Sequence, residues 1–326
     1  MTQDQPTVPI SEIDLSVDLS GVTLRAPVMM ASGVLGANAG VLLEAGRRGA
    51  AAVVTKSIGP EPRPGHKNPC FIEADDGVFL NAMGLNNPGC EAFLDDLHEA
   101  CAGAVPVVAS IFGHTPEQFE RVAEVLGRAR IAMFEVNVSC PHAVPGSRTG
   151  FLGQDAARVA EVIRRLKAVA GVPVMVKLTP NVTSIVDLAA AAVEAGADAL
   201  CAINTVQALE IDPFFEKPVL ANRFGGQSGP SVRCIALRKV ADLALAMRAG
   251  DLPEVPIVGV GGVRTGQDAA RFILAGATAV QIGSAVYYDD MEVFAAAARG
   301  LAEHMAAKGY RSVEAFRGNA LRWFGD

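Results

Sequence analysis

The hydrophobic positions of the chain fall into short apolar runs, and each run is followed by a loop and an Ala-rich segment with helical periodicity. Short apolar runs between turn residues are typical of buried parallel strands, whereas apolar positions three and four apart predict amphipathic helices. The predicted strands are 27–31, 51–56, 105–110, 133–138, 172–178, 199–204, 255–260 and 279–283. The predicted helices are 39–48, 89–103, 116–128, 155–170, 183–195, 230–248, 266–275 and 290–308.

Strands that alternate with helices, with no change of composition along the chain, favour one α/β domain over residues 1–326, a single (β/α)8 TIM barrel. A doubly wound open sheet is the alternative. Residues 13–25 alternate apolar and polar positions around Ser20-Gly21, which predicts a small N-terminal hairpin. Thr115-Pro116 with Gln118 has the pattern of a helix start, with Thr as N-cap and Pro at the first helical position.

Two segments are too long for ordinary strand-to-helix connections, 57–88 and 206–229. Long connections in compact domains are usually functional, and both follow the carboxyl ends of predicted strands, where a barrel holds its active site. A third segment, 141–153, is rich in Pro and Gly and is a candidate lid. The sequence therefore predicts long loops at the C-terminal face of the barrel.

Charge and composition narrow the class of protein. The net charge is -7 and there is no run of Lys or Arg, which argues against nucleic acid or an anionic membrane as partner. No apolar stretch reaches the roughly 18 residues of a membrane span, and we expect no signal peptide. The six cysteines form no CxxC pair, and the five histidines are dispersed, so no metal or iron–sulfur site is predicted. We expect a reduced, cytoplasmic protein.

The run MFEVNVSCPH (133–142) delivers Asn137 and Cys140 to the end of a predicted strand. A lone cysteine is more often a packing residue, but the polar Asn137 and the candidate lid favour chemistry here. A thiol with a pKa lowered from about 8.5 is a competent base or nucleophile.

Two lysines, Lys56 and Lys177, also stand near strand ends. A lysine there must be paired or must contact a ligand; taken alone, an ion pair or a snorkelling side chain explains each equally well. Together with Asn137 and Asn204 they indicate a hydrogen-bonding pocket for an anion.

Gly-rich segments follow the last predicted strands: GGQSGP (225–230), GVGGV (259–263) and IGSA (282–285). Glycines let the backbone approach a phosphate closely, and N–H groups at a helix start can bind it. Each segment alone is a weak signal, because glycines occur in every kind of loop. Their joint position predicts a phosphate site, and without a GxGxxG pattern the phosphate need not belong to a dinucleotide.

From about residue 13 to the C-terminus, the sequence resembles the catalytic chain of the class 1 dihydroorotate dehydrogenases, and it is most similar to the type (1B) that works with an electron-transfer partner. The matching segments are ASG (31–33), TKS (55–57), NAMGLNNPG (81–89), NVSCP (137–141), KLTPNV (177–182), INT (203–205), GGQSGP (225–230) and GVGGV (259–263). The resemblance implies a barrel that holds one FMN non-covalently. It also implies oxidation of (S)-dihydroorotate to orotate in pyrimidine biosynthesis.

The resemblance assigns residues to both ligands. The expected FMN residues are Ala31, Gly33, Lys56, Ser57, Asn137, Lys177, Ile203, Ser228, Gly229, Gly261, Gly262, Gly283 and Ser284. The expected substrate residues are Lys56, Asn81, Met83, Gly84, Leu85, Asn137, His142, Asn204 and Thr205. Cys140 matches the base that takes a proton from C5 of dihydroorotate while a hydride passes from C6 to the flavin.

Two positions depart from the family pattern. Ser110 replaces an Asn usual near the flavin, and His142 stands where many members have an Asn that contacts the substrate. The SCPH segment also resembles the flavin domain of dihydropyrimidine dehydrogenases, so a dihydrouracil-type substrate is an alternative. His142 is either a lid residue with no role or a substrate contact that makes turnover sensitive to pH near 6 to 7, roughly its unperturbed pKa range.

The electron acceptor stays open at this stage. Use of NAD would require a partner subunit carrying FAD and a 2Fe-2S cluster, in a heterotetramer; a stand-alone homodimer reducing fumarate is the alternative. From another class of function, the chain could be a barrel aldolase or isomerase with Lys177 as Schiff-base lysine. A flavin-binding protein without turnover is a third possibility.

Overall fold

The computed structural model of the protein describes residues 8–33, 35–139 and 152–324. Its strands are β1 (Val17–Leu19), β2 (Val22–Leu24), β3 (Val28–Met30), β4 (Val53–Val54), β5 (Phe71–Asp75), β6 (Val78–Asn81), β7 (Val107–Ile111), β8 (Met133–Asn137), β9 (Val174–Leu178), β10 (Ala199–Ala202), β11 (Val206–Ala208), β12 (Ile211–Asp212), β13 (Lys217–Pro218), β14 (Gly225–Ser228), β15 (Ile257–Val260) and β16 (Ala279–Ile282).

Eight of these strands close into a parallel barrel in the order β3, β4, β7, β8, β9, β10, β15 and β16. Each lies within a strand that the sequence predicted, apart from one added residue at the end of β7. Because the barrel is closed, the (β/α)8 prediction is confirmed and the open doubly wound sheet is wrong. In the register, Asn137 pairs with Lys177 across β8 and β9, which brings two predicted site residues to one level.

Helices connect the barrel strands: α1 (Ala39–Arg47), α2 (Cys90–Cys101), α3 (Pro116–Leu126), α4 (Ala156–Val169), α5 (Ile185–Glu194), α6 (Arg233–Ala249), α7 (Gly266–Leu274), α8 (Val286–Asp289) and α9 (Glu292–Ala307). Short 3-10 turns occur at Ile10–Glu12, Leu152–Gln154, Pro230–Val232 and Asn319–Phe324. Among the described residues, no helix is both long and apolar enough to cross a bilayer.

The start of α3 confirms part of the predicted capping pattern. Thr115 is the N-cap and Pro116 the first helical residue, as predicted, but the Thr115 side chain makes no capping hydrogen bond. Instead the Gln118 side chain accepts from the backbone N–H of His114 at 2.8 Å. A complete capping box occurs at Thr265 and Asp268 at the start of α7.

Two apolar clusters build the core, because side chains alternate between the two faces of each barrel strand. Val28, Val107 and Val136 belong to the larger cluster, which extends through the residues that the helices bury. Met29, Met133 and Met175 belong to the second cluster, inside the barrel. The predicted hairpin is confirmed as β1 and β2, and its buried Leu19 and Leu24 join the interior cluster.

The two long connections contain regular structure that the sequence did not predict. β5 and β6 come from the first connection, β11 and β14 from the second, and the four strands form one sheet in the order β11, β14, β6, β5. The pairing of Gly226 with Asn81 joins the two connections directly. This sheet fixes the predicted substrate residue Asn81 against the glycine segment at 225–230.

Candidate functional site

A cavity of about 900 Å³ lies at the carboxyl ends of the barrel strands. Its size falls within the range of small-molecule and cofactor sites, and its position is the usual one for an active site in this architecture. Every described residue that the sequence predicted for the site lines it: Ala31, Gly33, Lys56, Ser57, Asn81, Met83, Gly84, Leu85, Asn137, Lys177, Ile203, Asn204, Thr205, Ser228, Gly229, Gly261, Gly262, Gly283 and Ser284.

Cys140 and His142, together with nearly all of the candidate lid 141–153, lie outside the described residues. Ser139, the neighbour of Cys140 in sequence, lines the cavity. The general-base assignment and the role of His142 therefore stay predictions.

Lys177 lies in β9 at the wall of the cavity, in contact with two partners from other strands. Its Nζ donates to Glu135 Oε1 at 3.4 Å and to Gln281 Oε1 at 3.2 Å. Burial alone would lower the pKa of Lys177, but the adjacent Glu135 carboxylate outweighs it and raises that pKa. Lys177 is therefore an ammonium ion at neutral pH.

Lys56, which follows β4, has a different environment. The side chain is buried, and its Nζ donates to the backbone carbonyl of Gly33 at 2.7 Å. Among the described residues no carboxylate lies within ion-pair distance of it. Burial lowers the pKa of Lys56 to about 8, so a bound anion would restore its full charge.

The amide side chains of the cavity are oriented by one another. Asn204 Nδ2 donates to Asn137 Oδ1 at 3.2 Å, and Asn137 Nδ2 donates to Ser57 Oγ at 3.0 Å. Asn204 Oδ1 accepts from the backbone N–H of Thr205. Each amide nitrogen carries two N–H groups and uses one of them in these hydrogen bonds, so both residues keep a further N–H to offer to a ligand.

The glycine segments form a close-packed corner of the cavity. A Cβ on Gly229 would lie 2.7 Å from the Phe79 ring, and one on Gly262 would lie 2.8 Å from the Gly229 carbonyl oxygen. Both residues also have positive φ, 90° and 74°, which side chains disfavour. Packing and backbone conformation therefore require glycine at both positions, and both residues line the cavity.

Sequence reasoning missed several residues of the cavity and its support. Those that line the cavity include Ser32, His66, Thr179, Asn181, Gln207, Asn222, Phe224, Gln227 and Gln281. Glu135 supports the site from behind Lys177 and is fully buried. A Glu within MFEVNV and a Gln within AVQIG were the available signals, because a polar side chain in a buried strand needs a partner.

The comparisons with known proteins agree with this geometry. The family model described as dihydroorotate dehydrogenase matches residues 14–305. A protein of Pyrococcus abyssi named dihydroorotate dehydrogenase B (NAD(+)), catalytic subunit, is 47% identical over 308 residues, covering 94% of this chain and 99% of that protein.

Similarly named proteins of Pyrococcus furiosus and Methanosarcina mazei are 44% and 46% identical. The alignments cover 95% and 94% of this chain, and 100% and 95% of those relatives. With the fold and the family model, these matches confirm the resemblance that the sequence motifs carried, and the chain belongs to the dihydroorotate dehydrogenase family.

Proposed function

We propose that the chain oxidises dihydroorotate to orotate in pyrimidine biosynthesis, with FMN as its cofactor and Cys140 as general base. One observation carries the proposal: a single cavity combines a glycine corner suited to a phosphate, a charged Lys177, and the Lys56 and asparagine group suited to an anionic ring. Family membership supports the same reaction.

The residues fit FMN. A cavity of about 900 Å³ accommodates a flavin nucleotide together with a small ring. The corner at Gly229 and Gly262, where no side chain separates the backbone from the cavity, suits the phosphate. Ala31, Ser57, Lys177 and Ile203 line the part of the cavity that we assign to the rest of the cofactor. When bound, FMN supplies the redox chemistry by accepting the hydride.

The residues also fit the substrate. Lys56 offers a positive charge to the substrate carboxylate, and this charge grows when the anion binds because the ligand-free pKa is about 8. Asn137 and Asn204 present amide N–H groups, which match the ring carbonyl oxygens of a pyrimidinedione. Holding the ring at both ends orients it for proton removal at one carbon and hydride loss at the next.

Cys140 follows Ser139, which lines the cavity. As a thiolate it would accept the C5 proton. We expect Cys140→Ser to slow flavin reduction by about a hundredfold or more near neutral pH, since general-base catalysis contributes that much and a hydroxyl is a far poorer base. FMN content is the control and should not change.

The direct test is anaerobic mixing of the FMN-loaded chain with dihydroorotate and, separately, with dihydrouracil, following loss of the yellow flavin absorbance. Rapid bleaching by dihydroorotate alone supports the proposal. Faster bleaching by dihydrouracil would overturn the substrate assignment, and a chain that takes up no FMN would overturn the cofactor. His142→Asn should keep dihydroorotate activity within about tenfold, a change of about 1.4 kcal/mol in the barrier, and should flatten the acid limb near pH 6 to 7.

The ion pair of Lys177 with Glu135 argues against the aldolase alternative. A Schiff-base lysine must lose its proton to attack a carbonyl, whereas the Glu135 carboxylate raises the pKa of Lys177. Inside this barrel, Lys177 is suited to be a fixed positive charge.

The electron acceptor concerns a second protein. The named relatives are NAD(+)-linked catalytic subunits. We infer that this chain, which we expect in the cytoplasm, likewise assembles as a dimer with a partner subunit carrying FAD and a 2Fe-2S cluster. We expect the isolated chain to reduce NAD slowly, and the complex with the partner subunit to reduce it fast. Rapid fumarate-dependent turnover by the chain alone would contradict the assignment.

A further inference from the structure

Glu135 is a fully buried carboxylate inside the barrel, at the centre of a hydrogen-bond network that spans four strands and Ser57, three residues after β4. Lys177 at 3.4 Å and Ser110 at 3.3 Å donate to its Oε1, and Gln281 at 2.8 Å donates to its Oε2. All three are donors, so Glu135 accepts as an anion. A buried anion without partners would be costly, and here each oxygen is satisfied.

The first branch of the network leads to Lys177. Lys177 and Gln281 line the cavity, while Glu135 lies behind them and does not. Gln281 bridges the pair, since it donates to Glu135 and accepts from Lys177. The nearby Cys201 thiol stays neutral because burial raises its pKa. Glu135 is therefore the anion that balances Lys177 inside the barrel.

The second branch leads to the asparagines. Ser110 Oγ gives its proton to Glu135, so in the 2.9 Å contact between Ser110 and Ser57 the donor must be Ser57. Ser57 then accepts from Asn137, which in turn accepts from Asn204. In this series of four hydrogen bonds, from Asn204 to Glu135, each donor lies farther from Glu135 than its acceptor. The carboxylate thereby determines that the amide nitrogen of Asn137, and not its oxygen, faces Ser57.

We infer that Glu135 is a positioning residue that serves both halves of the site: it keeps Lys177 charged beside the cofactor and orients Asn137 toward the substrate. The first half rests on the proposed function, since it concerns FMN. A fixed ammonium near a flavin favours added electrons, so Glu135 controls the reduction potential without lining the cavity.

The test replaces the charge and keeps the shape, with Glu135→Gln in the FMN-loaded chain. Without its counter-ion, buried Lys177 should lose its proton, because burial disfavours the charged form. The affinity for reduced FMN relative to oxidised FMN should fall at least tenfold, which lowers the two-electron potential by about 30 mV. Glu135→Asp keeps the charge and should shift the ratio by less than threefold.

A second pair of variants, Lys177→Met and the double variant Lys177→Met/Glu135→Gln, keeps the inference testable if Glu135→Gln misfolds. Lys177→Met should lower the potential as Glu135→Gln does, and the double variant should fall no further than Lys177→Met alone. An unchanged potential in Glu135→Gln, or additive losses in the double variant, would overturn the inference. Failure of the wild-type chain to bind FMN would instead overturn the proposed cofactor.

Ser110→Ala is the matched control for the second branch, because it cuts the path to Asn137 and leaves Lys177 paired. We expect the potential of bound FMN to shift by less than a threefold affinity ratio. Orotate affinity should fall about two- to tenfold, the usual range for one lost hydrogen bond. Orotate affinity equal to wild type in both Ser110→Ala and Glu135→Gln would overturn the second half of the inference.

Discussion

The environments of Lys56 and Lys177 show two ways of burying a lysine within one cavity. Both side chains come from the carboxyl ends of barrel strands, and both are almost completely buried. Lys177 contacts the Glu135 carboxylate, which raises its pKa. Among the described residues, Lys56 Nζ donates to the Gly33 carbonyl oxygen and meets no carboxylate, and burial lowers its pKa to about 8. Within the part of the chain that the structure describes, a carboxylate balances the charge of Lys177 and none balances that of Lys56.

This difference separates two functions. A balanced ammonium is permanent, so it can act on a cofactor that stays bound through many turnovers. An unbalanced one is partly discharged until an anion arrives, so it suits a substrate that enters and leaves. The two proposed roles would account for the presence of two lysines in one cavity, one of them paired with a carboxylate among the described residues.

The largest expected effect on stability is that of removing Lys177, the lysine that is paired with a carboxylate. Lys177→Met leaves Glu135 buried without its cation, and breaking a buried pair costs about 3–5 kcal/mol of unfolding free energy. The double variant Lys177→Met/Glu135→Leu should recover most of that loss. Urea unfolding of the ligand-free chain measures both. Equal stability of wild type and Lys177→Met would mean that the pair is not formed.

Replacing Lys56 should change stability in the opposite direction. With a pKa near 8 in the folded chain and about 10.4 unfolded, the unfolded state binds more protons between these values, so stability rises with pH there. Below pH 8 the buried charge costs up to about 3 kcal/mol. Lys56→Met should therefore stabilise the ligand-free chain at pH 7.

That gain should shrink toward zero as pH rises through about 8 to above 10.4, where neither state holds the proton. Urea unfolding of both proteins at pH 7 and above pH 10.4 measures the change. A gain that is independent of pH would show that the charge of Lys56 is not its cause.

Ligand binding gives a third contrast. Lys56→Met should weaken orotate binding by about 1.5–3 kcal/mol, the usual range for a hydrogen bond to a charged group. Uracil lacks the carboxylate and is the matched ligand, so its affinity should change little. Equal losses for orotate and uracil would show that Lys56 does not contact the carboxylate.

The smallest expected effect on stability is that of removing one neutral hydrogen bond to Glu135, the one from Ser110. Ser110→Ala removes this donor to Glu135 and should cost about 1 kcal/mol of stability. Arg47→Ala, which removes an exposed ion pair with Glu44, is the control and should cost less than about 0.5 kcal/mol. A larger loss for Arg47→Ala would contradict the importance given to burial.

The sequence predicted the strands, and with them the level at which both lysines stand, because apolar runs and strand ends are local signals. It did not predict which lysine is paired. Glu135, Lys177 and Gln281 lie on β8, β9 and β16, and only closure of the barrel brings the last of these strands near the first two. Such a contact depends on strand order, which periodicity along the chain does not contain.

The sheet over the barrel mouth was missed for a related reason. Residues 206–229 were predicted as one long connection, and Gly225 and Gly226 of β14 disfavour strands. Pairing of β14 with β11 and with β6 from the other long connection overrides that propensity. The glycine corner was predictable because its signal is conformational and local. Gly229 and Gly262 stand at positive φ, which a Gly-rich sequence anticipates.

The most direct test of the account is proton uptake on orotate binding to the FMN-loaded chain near pH 8, measured by calorimetry in buffers of different ionisation heat. In the ligand-free chain burial lowers the pKa of Lys56 to about 8, so near this pH part of the Lys56 population lacks a proton. We expect uptake of a fraction of a proton per orotate in the wild type, and no uptake in Lys56→Met. Wild-type binding without uptake, or the same uptake in Lys56→Met, would contradict it.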